Sequence, residues 1–269
     1  MKKILFILFI SCIHQKIDAQ ELFVFTEPAS NMAAKSVGVR LMNSFMNETK
    51  GGINYHLMPE IMLGVNSKVM LHAQGFISNR NNSLVGEGAS LYAKYKFINI
   101  DNVHSHFRMA SYGRYSFNNS DIHQDEIETM GHNSGYELGL VATQLINKLA
   151  ISSSVSFERA IDNTTNNKFP NTQSNKAINY TLSFGKLILP KEYVSYKQVN
   201  MNFMLEFLGQ SLQGNGKSYL DIAPSVQFIV NSQARFDVGY RQQLYSNMLR
   251  TAPNGFVLKF EYTFFNVYK

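Results

Sequence analysis

Apolar and polar positions alternate with a period of two along most of this chain. The pattern is cleanest in Phe256-Val-Leu-Lys-Phe-Glu-Tyr-Thr-Phe-Phe265. Phe256, Leu258, Phe260, Tyr262 and Phe264 share one face of a strand, and Val257, Lys259, Glu261 and Thr263 share the other. Successive side chains of a strand point to opposite faces, so the segment has one aromatic side and one mostly polar side. Twelve segments read this way: 36–45, 55–65, 69–77, 86–97, 107–115, 132–144, 149–157, 177–187, 199–208, 219–230, 234–243 and 256–265. Most are close to the roughly 9–11 residues that a tilted strand needs to cross a bilayer.

The connections follow a second alternation. Asn66-Ser67-Lys68, Asn99 to Asn102, Asn147-Lys148 and Asn231-Ser232-Gln233 are short and rich in turn-forming residues. Between them lie longer connections. Asn118 to Gly131 is acidic, Ile161 to Lys176 is rich in Asn and Thr, and Leu212 to Lys217 and Tyr245 to Gly255 carry glycine or proline. Short turns at one end and long loops at the other, with an even strand number, are the arrangement of bacterial transmembrane barrels. Leu189 to Gln198, with Pro190, breaks the rule. The expected fold is all-β, a single transmembrane antiparallel β-barrel of about twelve strands, with short periplasmic turns and longer external loops. A soluble β-sandwich also alternates, but it accounts less well for an aromatic outer band.

Strand parity sorts the side chains. The second strand turns Tyr55, Leu57, Pro59, Ile61 and Leu63 to lipid, and the tenth turns Leu220, Ile222, Pro224, Val226 and Phe228 outward. The opposite faces carry Arg40, Glu60, Lys94, Lys96, Arg108, Arg114, Glu137, Glu158, Glu206, Asp221, Arg235, Asp237, Arg241, Lys259 and Glu261. A charge facing lipid at mid-membrane costs roughly 2–4 kcal/mol, which accounts for the segregation. The two signs nearly balance, which argues against a strongly ion-selective pore. The bland reading of these lumen charges is a cross-strand salt-bridge network. The functional reading is a narrow pore for small polar or zwitterionic solutes. Met58, Met62, Met70 and Phe76 form an apolar lumen patch, with Tyr92 and Tyr112 nearby. It suits either a hydrophobic solute or simple filling of the interior.

The N-terminus reads as a secretory signal. Lys2 and Lys3 precede an apolar core from Ile4 to Ile13, and Ile17-Asp18-Ala19 before Gln20 offers the cut site. The expected division is a signal peptide over 1–19, a lead-in or plug over 20–35, and the barrel over 36–269. A disordered lead-in is the first expectation for Glu21 to Lys35, and a plug reaching inward through Leu22, Phe23 and Phe25 is the second. Cys12 is the only cysteine, so cleavage after Ala19 leaves none, while a lipoprotein signal would instead modify it. The net charge of +6 is too mild and dispersed to point to nucleic acid. With no tryptophan, an interfacial girdle falls to Tyr and Phe.

Candidate chemistry is sparse. Gly131-His132-Asn133-Ser134-Gly135 places His132 and Ser134 on the parity of Leu138 and Leu140, facing lipid near the outer rim. The pair resembles the His-x-Ser of outer-membrane phospholipase A and lipid A deacylase, where Ser is the nucleophile and His the base. Those families continue with Asn where this chain has Gly135, and no third member is evident. A small polar loop-to-strand transition is the simpler reading. His104 and His106 beside Asp101 lack a third metal ligand, and the acidic loop matches no calcium-binding spacing. No cofactor, metal site or catalysis is expected.

The start Glu21-Leu-Phe-Val-Phe-Thr-Glu-Pro-Ala-Ser-Asn-Met32, the Ala19-Gln20 junction and the end Phe-Glu-Tyr-Thr-Phe-Phe-Asn266 resemble a family of outer-membrane β-barrel proteins of Bacteroidetes-type bacteria. The resemblance implies the outer membrane and the barrel, and brings no substrate with it. Outer-membrane lipid and, through the last strand, the barrel-assembly machinery are the expected partners. A passive channel is the first functional expectation. A lipid-modifying enzyme and a structural or adhesive barrel are the others.

Overall fold

The computed structural model describes residues 23–79, 83–163, 168–171, 173–192 and 198–268. Twelve strands follow one another: β1 (Ser36–Asn47), β2 (Ile53–Gly64), β3 (Val69–Ser78), β4 (Val85–Asp101), β5 (Ser105–Asn118), β6 (Gly135–Ile146), β7 (Leu149–Ala160), β8 (Lys176–Leu189), β9 (Asn200–Leu212), β10 (Ser218–Val230), β11 (Ala234–Ser246) and β12 (Asn254–Phe264). Each pairs antiparallel with its sequence neighbours, and β1 pairs with β12 to close the barrel. Closure leaves no strand edge without a backbone partner, which a bilayer demands. Among the described residues no helix is long and apolar enough to cross a membrane, which says nothing of strands.

The alternation explains why these segments became strands. In β12, Val257, Lys259, Glu261 and Thr263 are buried while Phe256, Phe260 and Phe264 are exposed. In β2, Met58, Glu60 and Met62 point inward and Ile61 and Leu63 outward. The exposed apolar residues continue around the wall through Leu41, Leu71, Leu91, Leu138, Leu140, Val155, Leu182, Phe203 and Phe236. The barrel is thus apolar outside and polar within, the reverse of a water-soluble barrel.

Short turns gather at one end and the longer connections at the other, except that 190–199, at the short-turn end, is long. At the β10–β11 turn, Asn231 and Ser232 both adopt left-handed backbone (φ 53° and 58°), which matches strand twist in a tight hairpin. Several expected boundaries shift by a few residues, the fourth strand running on to Asp101 and the ninth to Leu212, and one shift bears on the site. The sixth strand begins at Gly135, not at 132, because Gly131 (φ 121°) and Gly135 (φ 153°) bend the chain before the ladder starts.

The first described residues do not lead in from outside. Residues 23–35 run inside the barrel from the short-turn end. Lys35 donates its N–H to the Gly64 carbonyl at 2.6 Å, and the chain passes so close to β2 that a side chain at Gly64 would collide with the Ala33 carbonyl. The proposed signal sequence, Cys12, the cleavage site and residues 20–22 lie outside the described residues.

Candidate functional site: an occupied lumen

Two segments occupy the lumen. The first is the N-terminal stretch. Val24, Phe25 and Thr26 donate three backbone N–H bonds to the Glu206 carboxylate at 2.9, 3.0 and 2.9 Å, and the Thr26 hydroxyl donates a fourth at 2.7 Å. Lys94 donates to the carbonyls of Pro28 and Ser30, both at 2.8 Å, and Arg108 donates to the Ser30 hydroxyl at 2.8 Å. Ala29 donates its N–H to Thr143 at 2.9 Å, and Lys259 donates to the Phe23 carbonyl at 3.2 Å. These bonds satisfy backbone that has no strand partner of its own.

The apolar patch foreseen on the inner wall is where this stretch rests. Phe23 and Val24 pack in one cluster with Met42, Met58, Phe76 and Met204, and Met32 packs against Met62, Met70 and Tyr92. Met58, Met62, Met70 and Phe76 are all buried, and filling by the chain's own segment, rather than an open apolar surface, is what the structure shows.

The second segment is the connection 119–134. Although this acidic connection is one of the long ones expected to be external, it folds into the long-loop mouth. Ile127 and Thr129 are each 1 % exposed. Ile127 and Gln210 exchange bonds at 2.9 and 2.7 Å, and Thr129 donates its N–H to Glu158 at 2.6 Å. Arg250, on the connection between β11 and β12, clamps the loop. It donates to Glu126 at 2.7 and 3.1 Å and to both oxygens of Asp221 at 2.7 Å, with its guanidinium 3.8 Å from the Tyr219 ring centre. Arg241 adds bonds to Asp221 at 2.7 Å and to Glu126 at 3.1 Å. Burial opposes ionisation of Glu126, but Arg250 and Arg241 outweigh it and hold its carboxyl down to about 2.

The remaining wall charges form a network at the level of the N-terminal stretch. Arg40 reaches Glu27 at 2.8 Å, Glu60 at 3.0 Å and Glu261 at 2.9 Å. Arg235 adds a contact to Glu261 at 2.6 Å, His72 meets Glu60 at 2.6 Å, and Asp237 lies opposite Lys259 on the neighbouring strand. Arg114 and Glu137, adjacent on β5 and β6, stand 3.6 Å apart. The parity argument therefore placed these wall charges on the inner face. It had no means of finding Glu27 and Arg250, which belong to segments without strand alternation, and gave no reason to single out Glu126.

Between the two segments lies a cavity of about 250 Å³. Val24 to Glu27 bound it on one side, and Glu126 to Met130 on the other. Its wall includes Arg40, His56, Tyr92, Arg114, Glu137 and Glu158. Tyr112 can lie flat along this wall because residue 139 is glycine, where any side chain would strike its ring.

The proposed His132 and Ser134 pair is corrected by this geometry. Neither faces lipid. His132 turns inward to stack on His56 at 4.6 Å, and Ser134 is 1 % exposed. The Ser134 hydroxyl donates to the Asn118 carbonyl at 2.9 Å and accepts from the Asn118 N–H at 2.8 Å, so it caps a strand end and has no lipid access. Their parity was read from a strand that had not yet begun. On the short-turn side, His106 pairs with Asp101 at 2.7 Å. Among the described residues no three His, Cys, Asp or Glu lie close enough to hold a metal ion.

Comparison with solved structures adds the fold. The chain is similar to the KdgM porin (TM-score 0.53, 10 % identity, 84 % of this chain and 99 % of that one). It is similar to the NanC porin (0.51, 9 %, 85 % and 98 %) and to the COG4313 outer-membrane channel from Pseudomonas putida F1 (0.55, 11 %, 90 % and 99 %). The chain shares the closed antiparallel barrel architecture of these porins and channels. At such identities the likeness carries the architecture alone. No protein-family model and no curated protein matches the chain.

Proposed function

We propose that this protein is a passive channel of the bacterial outer membrane, carrying small solutes along a polar path through the barrel. The observation that supports it most directly is the cavity of about 250 Å³, lined by both signs of charge and walled by a closed barrel whose outside is apolar. Charged rings at close quarters select solutes, and a polar interior is what porins keep along their channel. The resemblance to barrels of Bacteroidetes-type bacteria and the likeness to porins support the same location. In this reading residues 1–19 are a signal removed on export, the outward band meets outer-membrane lipid, and the last strand engages the assembly machinery.

A second reading has one observation in its favour. Two segments fill much of the lumen, as a structural or adhesive barrel would allow. Conductance decides between them. The mature chain, refolded and inserted in a planar bilayer, is expected to give discrete current steps. A folded barrel that stays silent both intact and after deletion of residues 23–34 overturns the channel reading and leaves the structural one.

A further inference from the structure

The lumen charges fall into three groups, and two of them close on themselves. At the mouth, Asp221 and Glu126 meet Arg241 and Arg250. Nearer the short turns, Arg40 contacts Glu27, Glu60 and Glu261 at once, Arg235 also meets Glu261, and Lys94 and Lys259 are close by. The third group does not close. Glu128, Glu137 and Glu158 all line the cavity; Arg114 stands 3.6 Å from Glu137, while Arg40, Arg241 and Lys259, which also line it, are engaged in the other two groups or by the N-terminal stretch. Glu158, only 3 % exposed, takes its bonds from neutral donors: the Thr129 N–H at 2.6 Å and Asn179 at 2.7 Å. Glu137 and Glu158 are direct neighbours across β6 and β7. The nearest charged or titratable partner of Glu128 is His132, at 3.3 Å.

A second observation points into the same space. The hydroxyls of Thr129 (1 % exposed) and Tyr92 (5 % exposed) have no hydrogen-bond partner among the described residues, and both residues line the cavity. The Thr129 N–H donates to Glu158, so Thr129 sits against that carboxylate. Buried polar groups left without partners are costly, and a ligand that supplies donors relieves the cost.

We propose that this cavity is a binding site for a small organic cation, a primary amine or diamine, held by Glu128, Glu137 and Glu158. An alkylammonium carries three donors and no acceptor, so it matches three carboxylates and two hydroxyl oxygens and needs nothing in return. It also supplies a positive charge directly to these glutamates, since Arg40, Arg241 and Lys259, the other cations of the cavity wall, are held by partners elsewhere. A free anion meets the wrong sign, and a neutral sugar gains no charge-assisted bond. Ligand sites commonly measure about 300–1,000 Å³, so this smaller one fits a solute of only a few heavy atoms. The proposal rests on the channel reading and names its solute class.

The test is equilibrium binding of 1,4-diaminobutane to the detergent-solubilised mature protein, read by calorimetry or overnight dialysis, with glutarate and glucose as comparisons. Saturable binding at one site is expected for the diamine alone. Glu158→Gln and Glu137→Gln are each expected to weaken it by at least about tenfold, the size of one charge-assisted hydrogen bond. Thr129→Val, which keeps every charge, should weaken it less, and circular dichroism confirms that each variant folds. No saturable binding, equal binding of glutarate, or unchanged affinity in both glutamine variants overturns the site. Conductance on the same preparation separates the two ideas. Current steps without diamine binding remove this site and leave the channel, whereas binding without current removes the channel and leaves a binding pocket.

Discussion

Glu126 and Glu128 sit two residues apart on the inward loop and are driven in opposite directions. Glu126 is buried between Arg241 and Arg250 and stays ionised. Glu128 is enclosed by the barrel, although its side chain keeps 28 % exposure towards the cavity. Burial, and then the Glu126 charge, push it up to about 7, against the weaker pull of Arg241, Arg250 and Arg114. His132, stacked on His56, is its remaining neighbour. The sign follows. A raised carboxyl is neutral below its folded value, so its stabilising contribution is present at low pH and is lost as pH rises through about 7. Cation binding runs the other way, because ionised Glu128 attracts the ligand. Diamine affinity is therefore expected to rise between pH 5 and pH 9, on the order of tenfold if one full charge-assisted bond is gained. Glu128→Gln should flatten that part of the profile. A profile unchanged by the substitution would assign the titration elsewhere.

At the scale of the strand, the alternation of side chains fixes both what the outside costs to change and how much could be read in advance. Phe260 lies mid-strand on β12, 52 % exposed, between Leu41 and Phe236 on the two neighbouring strands. Phe260→Arg should destabilise the barrel by roughly 2–4 kcal/mol, the cost of a cation at mid-membrane. Val267→Arg, beyond the strand and 53 % exposed, should cost far less. Urea unfolding from lipid vesicles measures both, and equal shifts would refute the membrane-facing assignment. The same period of two made the strands and the inward charges legible, since a side chain's face follows from its position alone. It failed wherever the chain left the ladder. His132 and Ser134 were given strand parity, although Gly131 and Gly135 turn the backbone just there. The loop 119–134 is acidic and looks solvated, and the groups that draw it inward, Arg241, Arg250, Gln210 and Glu158, lie far from it in sequence. Residues 23–35 gave a few apolar hints but no period, because their partners are side chains scattered over many strands.

For the whole molecule, the order of parts along the barrel axis matters more than any single contact. The N-terminal stretch, the cavity and the inward loop lie one after another, so a solute meets the two restrictions in series. Resistances in series add, and the narrower one dominates. Deleting residues 23–34 alone, or replacing 121–130 by a short Gly-Ser linker alone, should therefore raise single-channel conductance only modestly. The two changes together should raise it by more than the sum of the separate gains. If either deletion alone gives the full increase, the other segment is no restriction. Selectivity supplies an independent readout of which end was opened. Removing the stretch takes away the Glu27 carboxylate, and it strips Lys94 and Lys259 of the carbonyls they now hold. Those ammonium groups then face the passage with less opposing charge, so reversal potentials in a salt gradient should move towards anions. Removing the loop takes away Glu126 and Glu128 but exposes Arg241 and Arg250, whose other partner is Asp221. That variant should also move towards anions, and more steeply, because two guanidinium groups are left against one carboxylate. A shift towards cations in either case would mean that the groups freed by the deletion do not line the conducting path.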